Sequence, residues 1–101
     1  MKFPEKVKPL LGFARKSGRL FLGEKAVKAS LKSGEAQLVL FAKDFSEKRK
    51  EFIGQWCASQ QVPFFTVGTK KENGTILGVN LCSLLVITDK KIAAKIFAYL
   101  S

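Results

Sequence analysis

Across residues 5–16 apolar side chains return every three or four positions, at Val7, Leu10, Leu11, Phe13 and Ala14. That spacing predicts an amphipathic helix, with Pro9 tolerated in its first turn and Arg15 and Lys16 in its last. Gly18 closes it, because glycine accepts the positive φ of a helix end. The next stretch, RLFL at 19–22, reads as a short strand, and Gly23-Glu24 as a turn that opens a second helix. In that helix Lys25, Lys28 and Lys32 share one face while Val27 and Leu31 share another, so one side is basic and one is dry.

The run QLVLFA at 37–42 is apolar without interruption and is bounded by Gly34 and by Lys43-Asp44, the pattern of a strand buried on both faces. Asp44 followed by Glu47 resembles a capping box. The helix behind it is expected to turn Phe52, Ile53, Trp56 and Cys57 inward and to leave Lys48, Arg49 and Lys50 on a solvated face. VPFFTV at 62–67 predicts a strand with Pro63 at its beginning, ended by Gly68. Thr69 is expected to cap a short helix through Lys70, Lys71 and Glu72, interrupted at Asn73-Gly74 and closed near Gly78. After a brief loop of Val79, Asn80 and Leu81 comes SLLVI at 83–87, the most apolar strand. Asp89 then caps a last helix with Ile92, Ala93, Ile96, Phe97 and Leu100 at helical spacing.

Strands alternating with helices predict an α/β fold: one domain over 1–101, a three-layer α/β/α sandwich around a small, mostly parallel or mixed sheet. In such open sheets ligands gather where strand ends meet helix starts. The connections at Gly23, at Asn73-Gly74 and from Gly78 to Leu81 are therefore expected to converge on a site.

Charge gives that site a sign. Eighteen Lys and Arg stand against eight Asp and Glu, a formal net charge of +10, and self-repulsion of that size is relieved by a polyanion. The stretch RKSGRLFLGEKAVKASLKSG at 15–34 concentrates the effect. It combines Arg15, Lys16, Arg19, Lys25 and Lys28 with two glycine turns and a helix start, an arrangement that presents amides and ammonium groups to phosphate.

Catalysis lacks its usual participants. There is no His, no evident acidic pair, no GxxxxGKS or GxGxxG pattern, and neither Cys57 nor Cys82 has an activating neighbour. Glu24 reads as a partner of the helix dipole rather than as a catalyst. No enzyme activity, cofactor or metal is expected, and both cysteines are expected to be buried thiols. The first twelve residues hold lysines and two prolines without a continuous apolar region, and no apolar run is long enough to span a bilayer. A cytoplasmic protein is expected.

The run ARKSGRLFLGEKAVKASLKSG, the strand QLVLFAKD, then VPFFTVGTKKENGTILGV and the closing LLVITDKKIAAKI together resemble the bacterial branch of the kink-turn-binding ribosomal protein superfamily, of L-seven-Ae and L-thirty-e type. The resemblance covers essentially the whole chain. It implies an L-thirty-e-like α/β/α fold and an RNA partner, a kink-turn or similarly bent helix with sheared G·A pairs beside a bulge; ribosomal RNA and an mRNA leader are both open as its source, and a monomer is the default. It also implies that Gly23 and the turns after it enter the groove at the G·A pairs. The loop Gly78, Val79, Asn80 and Leu81 would cover the bulged nucleotides, with Val79 and Leu81 exposed. From the residues alone, both would turn inward.

The family's guanine-reading Asn corresponds to Lys25, the Glu beside it to Ala26, and the following Lys to Ala29. A one-residue slip puts Glu24 on that Glu, Gly23 in place of the Asn, and Lys28 close to the expected lysine. Lysine still donates to guanine O6 and N7, so Lys25 or Lys28 can replace the amide at lower specificity. Loss of the Asn-Glu pair also suits the alternative, a protein-interaction module on the same fold with only non-specific affinity for RNA.

Overall fold

A computed structural model gives the fold and describes residues 3–101; Met1 and Lys2, at the head of the lysine-bearing amino-terminal stretch, lie outside the described residues. The elements in chain order are α1 (Val7–Lys16), β1 (Leu20–Leu22), α2 (Glu24–Ser33), β2 (Leu38–Phe41), α3 (Glu47–Ser59), β3 (Phe64–Thr66), α4 (Lys70–Leu77), β4 (Leu84–Ile87) and α5 (Lys90–Leu100). Every residue of β2 and β4 is buried, as their unbroken apolar runs require of strands covered on both faces.

The sheet separates two cores. On one face Val7, Leu11 and Ala14 of α1, Leu77 of α4 and Ile92, Ile96 and Leu100 of α5 pack against Leu38, Leu40, Leu85 and Ile87. On the other, Val27 and Leu31 of α2 and Ile53 and Cys57 of α3 pack against Val39, Phe41, Leu84 and Val86. Alternate residues of each strand thus feed opposite layers, which is the three-layer α/β/α arrangement. Three aromatics expected inside lie at the margins: Phe13, Phe52 and Phe97 are exposed, since each sits at the edge of its helix's apolar stripe.

The strand order is β1-β4-β2-β3, and only β2 and β3 run parallel; β4 is antiparallel to both β1 and β2. The sheet is mixed rather than mostly parallel, and the reason lies in α4. A helix parallel to the sheet carries the chain to the far end before the next strand begins. After α4, however, residues 78–82 run straight back along that helix: the Val79 amide donates to the Gly74 carbonyl at 2.9 Å, and the Cys82 amide to the Lys70 carbonyl at 3.0 Å. The chain re-enters the sheet at the end where β3 left it, so β4 must run the other way.

This return depends on the two residues expected to break the helix. α4 is continuous from Lys70 to Leu77, with a capping box between Thr69 and Glu72. Asn73 is buried within it and donates from Nδ2 to the Val67 carbonyl at 3.2 Å. A Cβ on Gly74 would lie 2.5 Å from the Asn80 carbonyl oxygen, so the helix and its return segment touch backbone to backbone there. Asn73-Gly74 is a packing point, not a turn.

Capping differs in one place. Ser46, not Asp44, caps α3 by accepting from the Arg49 amide, while Asp44 accepts from the Lys70 amide at 2.8 Å and ties the β2–α3 connection to the start of α4. Asp89 caps α5 as expected. Among the described residues no helix is long and apolar enough to cross a membrane.

Candidate nucleic-acid interface

Gly23 joins the last residue of β1 to α2 with φ 95° and ψ 161°, a conformation essentially reserved for glycine. Its amide donates to the Leu84 carbonyl at 3.1 Å and its carbonyl accepts from the Val27 amide at 3.1 Å. The turn is therefore fastened to the start of β4 on one side and to α2 on the other. A Cβ on Gly23 would meet nothing within 4 Å, so the main chain here is open to an approaching ligand. Ser46, Thr69 and Asp89 cap α3, α4 and α5, but no side chain caps α2. The amides of its first turn lie at the positive end of the helix dipole without a side-chain acceptor.

Glu24 gathers the cations around this turn. Its carboxylate pairs with Lys28 one turn on, at 3.0 Å, and with Arg49 of α3, whose Nε donates to Oε1 at 3.1 Å while its terminal nitrogen binds Oε2. The bidentate Arg49 contact, then Lys28, hold the Glu24 carboxyl down at about 2. Two cations on one carboxylate leave the cluster positive, and Lys25 beside it is exposed. Arg49 is therefore tied to α2 while its side chain stays 39% exposed. Lys50 does not belong to a solvated face, since it donates to the Lys43 carbonyl at 2.8 Å and pairs with Glu47 at 3.2 Å; Lys48 stays out in solvent.

A pH dependence follows from the lowered carboxyl. A group whose folded value lies below its ordinary 4.5 contributes stability that is complete above about 4.5 and lost as pH falls through about 2. Urea midpoints of the wild type and Glu24→Gln should therefore differ at pH 6 and converge as pH is lowered toward 2. A gap that stays constant with pH would show that the carboxylate charge is not what links α2 to α3.

The loop before β4 approaches the same end of the sheet. Leu81 is 63% exposed and Asn80 is exposed, whereas Val79 is half-buried and packs on the core. The pair thus divides, with Leu81 outward and Val79 inward. Gly78 ends α4 with φ 75° and shares with Arg15 and Lys16 a shallow groove of about 480 Å³, also lined by Gly12 and residues 75–77. Arg19 lies elsewhere: its carbonyl accepts from the Thr88 amide, at the end of β1 opposite Gly23.

The structure thus brings Gly23, Glu24, Lys25 and Lys28 into one turn, adds Arg49 from α3, and joins Arg15 and Lys16 to Gly78. Asn73-Gly74 is not part of this edge's loops. The Glu24–Lys28 spacing was readable as a helical pair, but nothing local to Arg49 announces a partner 25 residues away. Burial pushes the thiols of Cys57 and Cys82 up to about 11, with lowering pulls on the latter from its hydrogen bond to the Leu84 carbonyl and then from Arg15, so neither is a ready nucleophile near neutrality. Among the described residues no group of three or more His, Cys, Asp or Glu side chains is placed to hold a metal ion.

A sequence profile of the Ribosomal protein L7Ae/L30e/S12e/Gadd45 family matches residues 5–97. The chain belongs to this family. It is 27% identical over 92 residues to the RNA-binding protein YlxQ of Bacillus subtilis (strain 168), a match spanning 91% of this chain and 92% of that protein. It is 31% identical over 100 residues to the large ribosomal subunit protein eL30 of Candida albicans, spanning 94% of each. Among solved structures, a protein of unknown function from Bacillus halodurans superposes with a TM-score of 0.89 at 26% identity, covering 94% of this chain and 96% of that one. The Giardia lamblia 15.5kD RNA binding protein superposes with a TM-score of 0.78 at 17% identity over 97% and 90%, a likeness of fold. The L7Ae/L30e fold is thus held over nearly the full length.

Proposed function

We propose that this protein binds structured RNA bent as in a kink-turn, through the sheet edge where the Gly23 turn, the first turns of α2 and the Leu81 loop lie together. The observation that carries this reading is the open Gly23 turn, which lets a phosphate path approach the main chain with Lys25 and Lys28 on the adjoining helical turn. Family membership and relatives named as RNA-binding and ribosomal proteins favour the same partner. Regular A-form RNA hides its base edges in a deep, narrow groove, so selectivity falls on kinks, bulges and loops.

In this reading the residues have separate tasks. Lys25 and Lys28 donate to guanine edges or phosphates, the uncapped amides of α2 meet a phosphate, and Arg15 and Lys16 extend the charge toward Gly78. Leu81 packs on an unstacked base. The chain acts as one RNA-binding domain and as a monomer, in the cytoplasm and in the service of translation, without catalysis.

The test is a titration of the protein into a labelled kink-turn RNA and into the same RNA with its G·A pairs changed to Watson–Crick pairs, at near-physiological salt. A preference of about tenfold or more, roughly 1.4 kcal/mol, is expected for the kinked RNA. Lys25→Ala and Lys28→Ala should each reduce it. Equal, salt-sensitive binding to both RNAs would leave only a general basic RNA binder, and binding to neither would favour a protein partner for this face.

A further inference from the structure

Phe52 stands on the outer side of α3 with 49% of its surface exposed, and it has an aromatic ring and two cations as neighbours. Trp56, itself half-buried on the core, braces one edge of the ring at 72° and 6.3 Å between centroids. The Arg49 guanidinium lies 5.1 Å from the ring centroid and the Lys28 ammonium 5.8 Å. Both cations are held by Glu24 in the first turn of α2. An aromatic ring flanked by two fixed cations therefore adjoins the Gly23 turn.

Two further observations decide what such a ring fits. Around it on α3, Lys48, Glu51 and Gln55 are exposed and polar, so there is no apolar stripe to receive a helix of a protein partner. An isolated aromatic between cations matches instead the alternation of base and phosphate in an unpaired strand. Phe52 also belongs to the α2–α3 layer, whereas Leu81 follows a segment packed in the opposite layer, with the sheet between them. The two apolar side chains thus belong to opposite sides of the sheet.

We propose that Phe52 is a stacking platform for an unpaired base in single-stranded RNA continuing beyond the bent helix, with Arg49 taking an adjacent phosphate. The proposal rests on the RNA reading above. It adds a second contact surface, on α3, to one centred on α2. Phe52 supplies a flat face without reading base edges, so the site accepts any base and distinguishes unpaired from paired nucleotides.

The experiment uses the kink-turn RNA alone, the same RNA with a short single-stranded extension on either strand, and those extensions made abasic so that the phosphates remain. The wild type should bind one extended RNA about tenfold more tightly than its abasic counterpart. Phe52→Leu, which keeps an apolar side chain of similar size, should abolish that difference while binding the unextended RNA as the wild type does. Phe52→Tyr should restore it. Indifference of the wild type to the bases, or a preference that survives in Phe52→Leu, would overturn the proposal while leaving the kink-turn reading standing. Failure of the wild type to bind even the unextended RNA would remove both.

Discussion

Replacing Phe41 by alanine is expected to cost about 3–5 kcal/mol of stability, the usual range for a fully buried phenylalanine. The ring is 1% exposed at the end of β2, stacked on Phe45 at 6.1 Å and met edge-on by Phe64 at 5.8 Å. Phe64 in turn lies against Gly54 of α3, where an added Cβ would be 3.2 Å from the ring. Removing Phe41 therefore opens a void between the sheet and α3 at a point where helix and strand are already in close contact. Against a total stability of roughly 5–15 kcal/mol for a domain of this size, such a loss is about a fifth or more. With a urea slope of about 1–3 kcal/mol/M it should move the midpoint down by at least about 1 M. A shift corresponding to less than about 1 kcal/mol would mean that Phe45 and Phe64 collapse into the space, and that this layer is less tightly set than the burial implies.

Gly74→Ala should be destabilising even though it puts a better helix former in the middle of α4. The propensity gain is about 1 kcal/mol. The opposing effect is steric and the colliding atoms are main chain: the Asn80 carbonyl oxygen at 2.5 Å and the Val79 carbonyl oxygen at 2.8 Å. No rotamer change relieves such contacts, so the return segment has to move. Overpacking of this kind costs typically about 1–3 kcal/mol, and the net loss at about 4–8 °C per kcal/mol is measurable as a lowered Tm. Thr75→Ala, one residue on and exposed, is the control and should change little. Because residues 78–82 carry Leu81, Gly74→Ala should also weaken RNA binding more than its effect on folding explains at temperatures where the variant is folded. A Tm equal to or above that of the parent would show that the loop retreats freely from the helix.

These two residues differ in how they announced themselves. The burial of Phe41 was legible because it stands in an unbroken apolar run, and such a run has nowhere to go but the middle of a sheet covered on both sides. The role of Gly74 was not. A glycine after an asparagine carries the same local signal whether it opens a turn or lets another segment touch a helix, and the difference lies in what arrives from six residues further on. The expected break in α4 was therefore misplaced, and of the two sheet types open from the sequence the backtracking of residues 78–82 along α4 selects the mixed one.

The candidate site divides in the same way. The sequence alone determined the alternation of elements, both buried strands, the basic face of α2 against its dry face, and Gly23 as the turn in front of that helix. Periodicity, side-chain chemistry and the freedom of glycine are local properties that survive in any fold the chain adopts. Tertiary structure decided the partner of Glu24, the separation of Val79 from Leu81, the exclusion of Arg19 from the Gly23 edge and the exposure of Phe52. Each of these depends on how α3 and the return of α4 pack against the sheet. Contacts between residues distant in the chain are fixed by the whole fold's burial of its apolar surface, and no single segment encodes them.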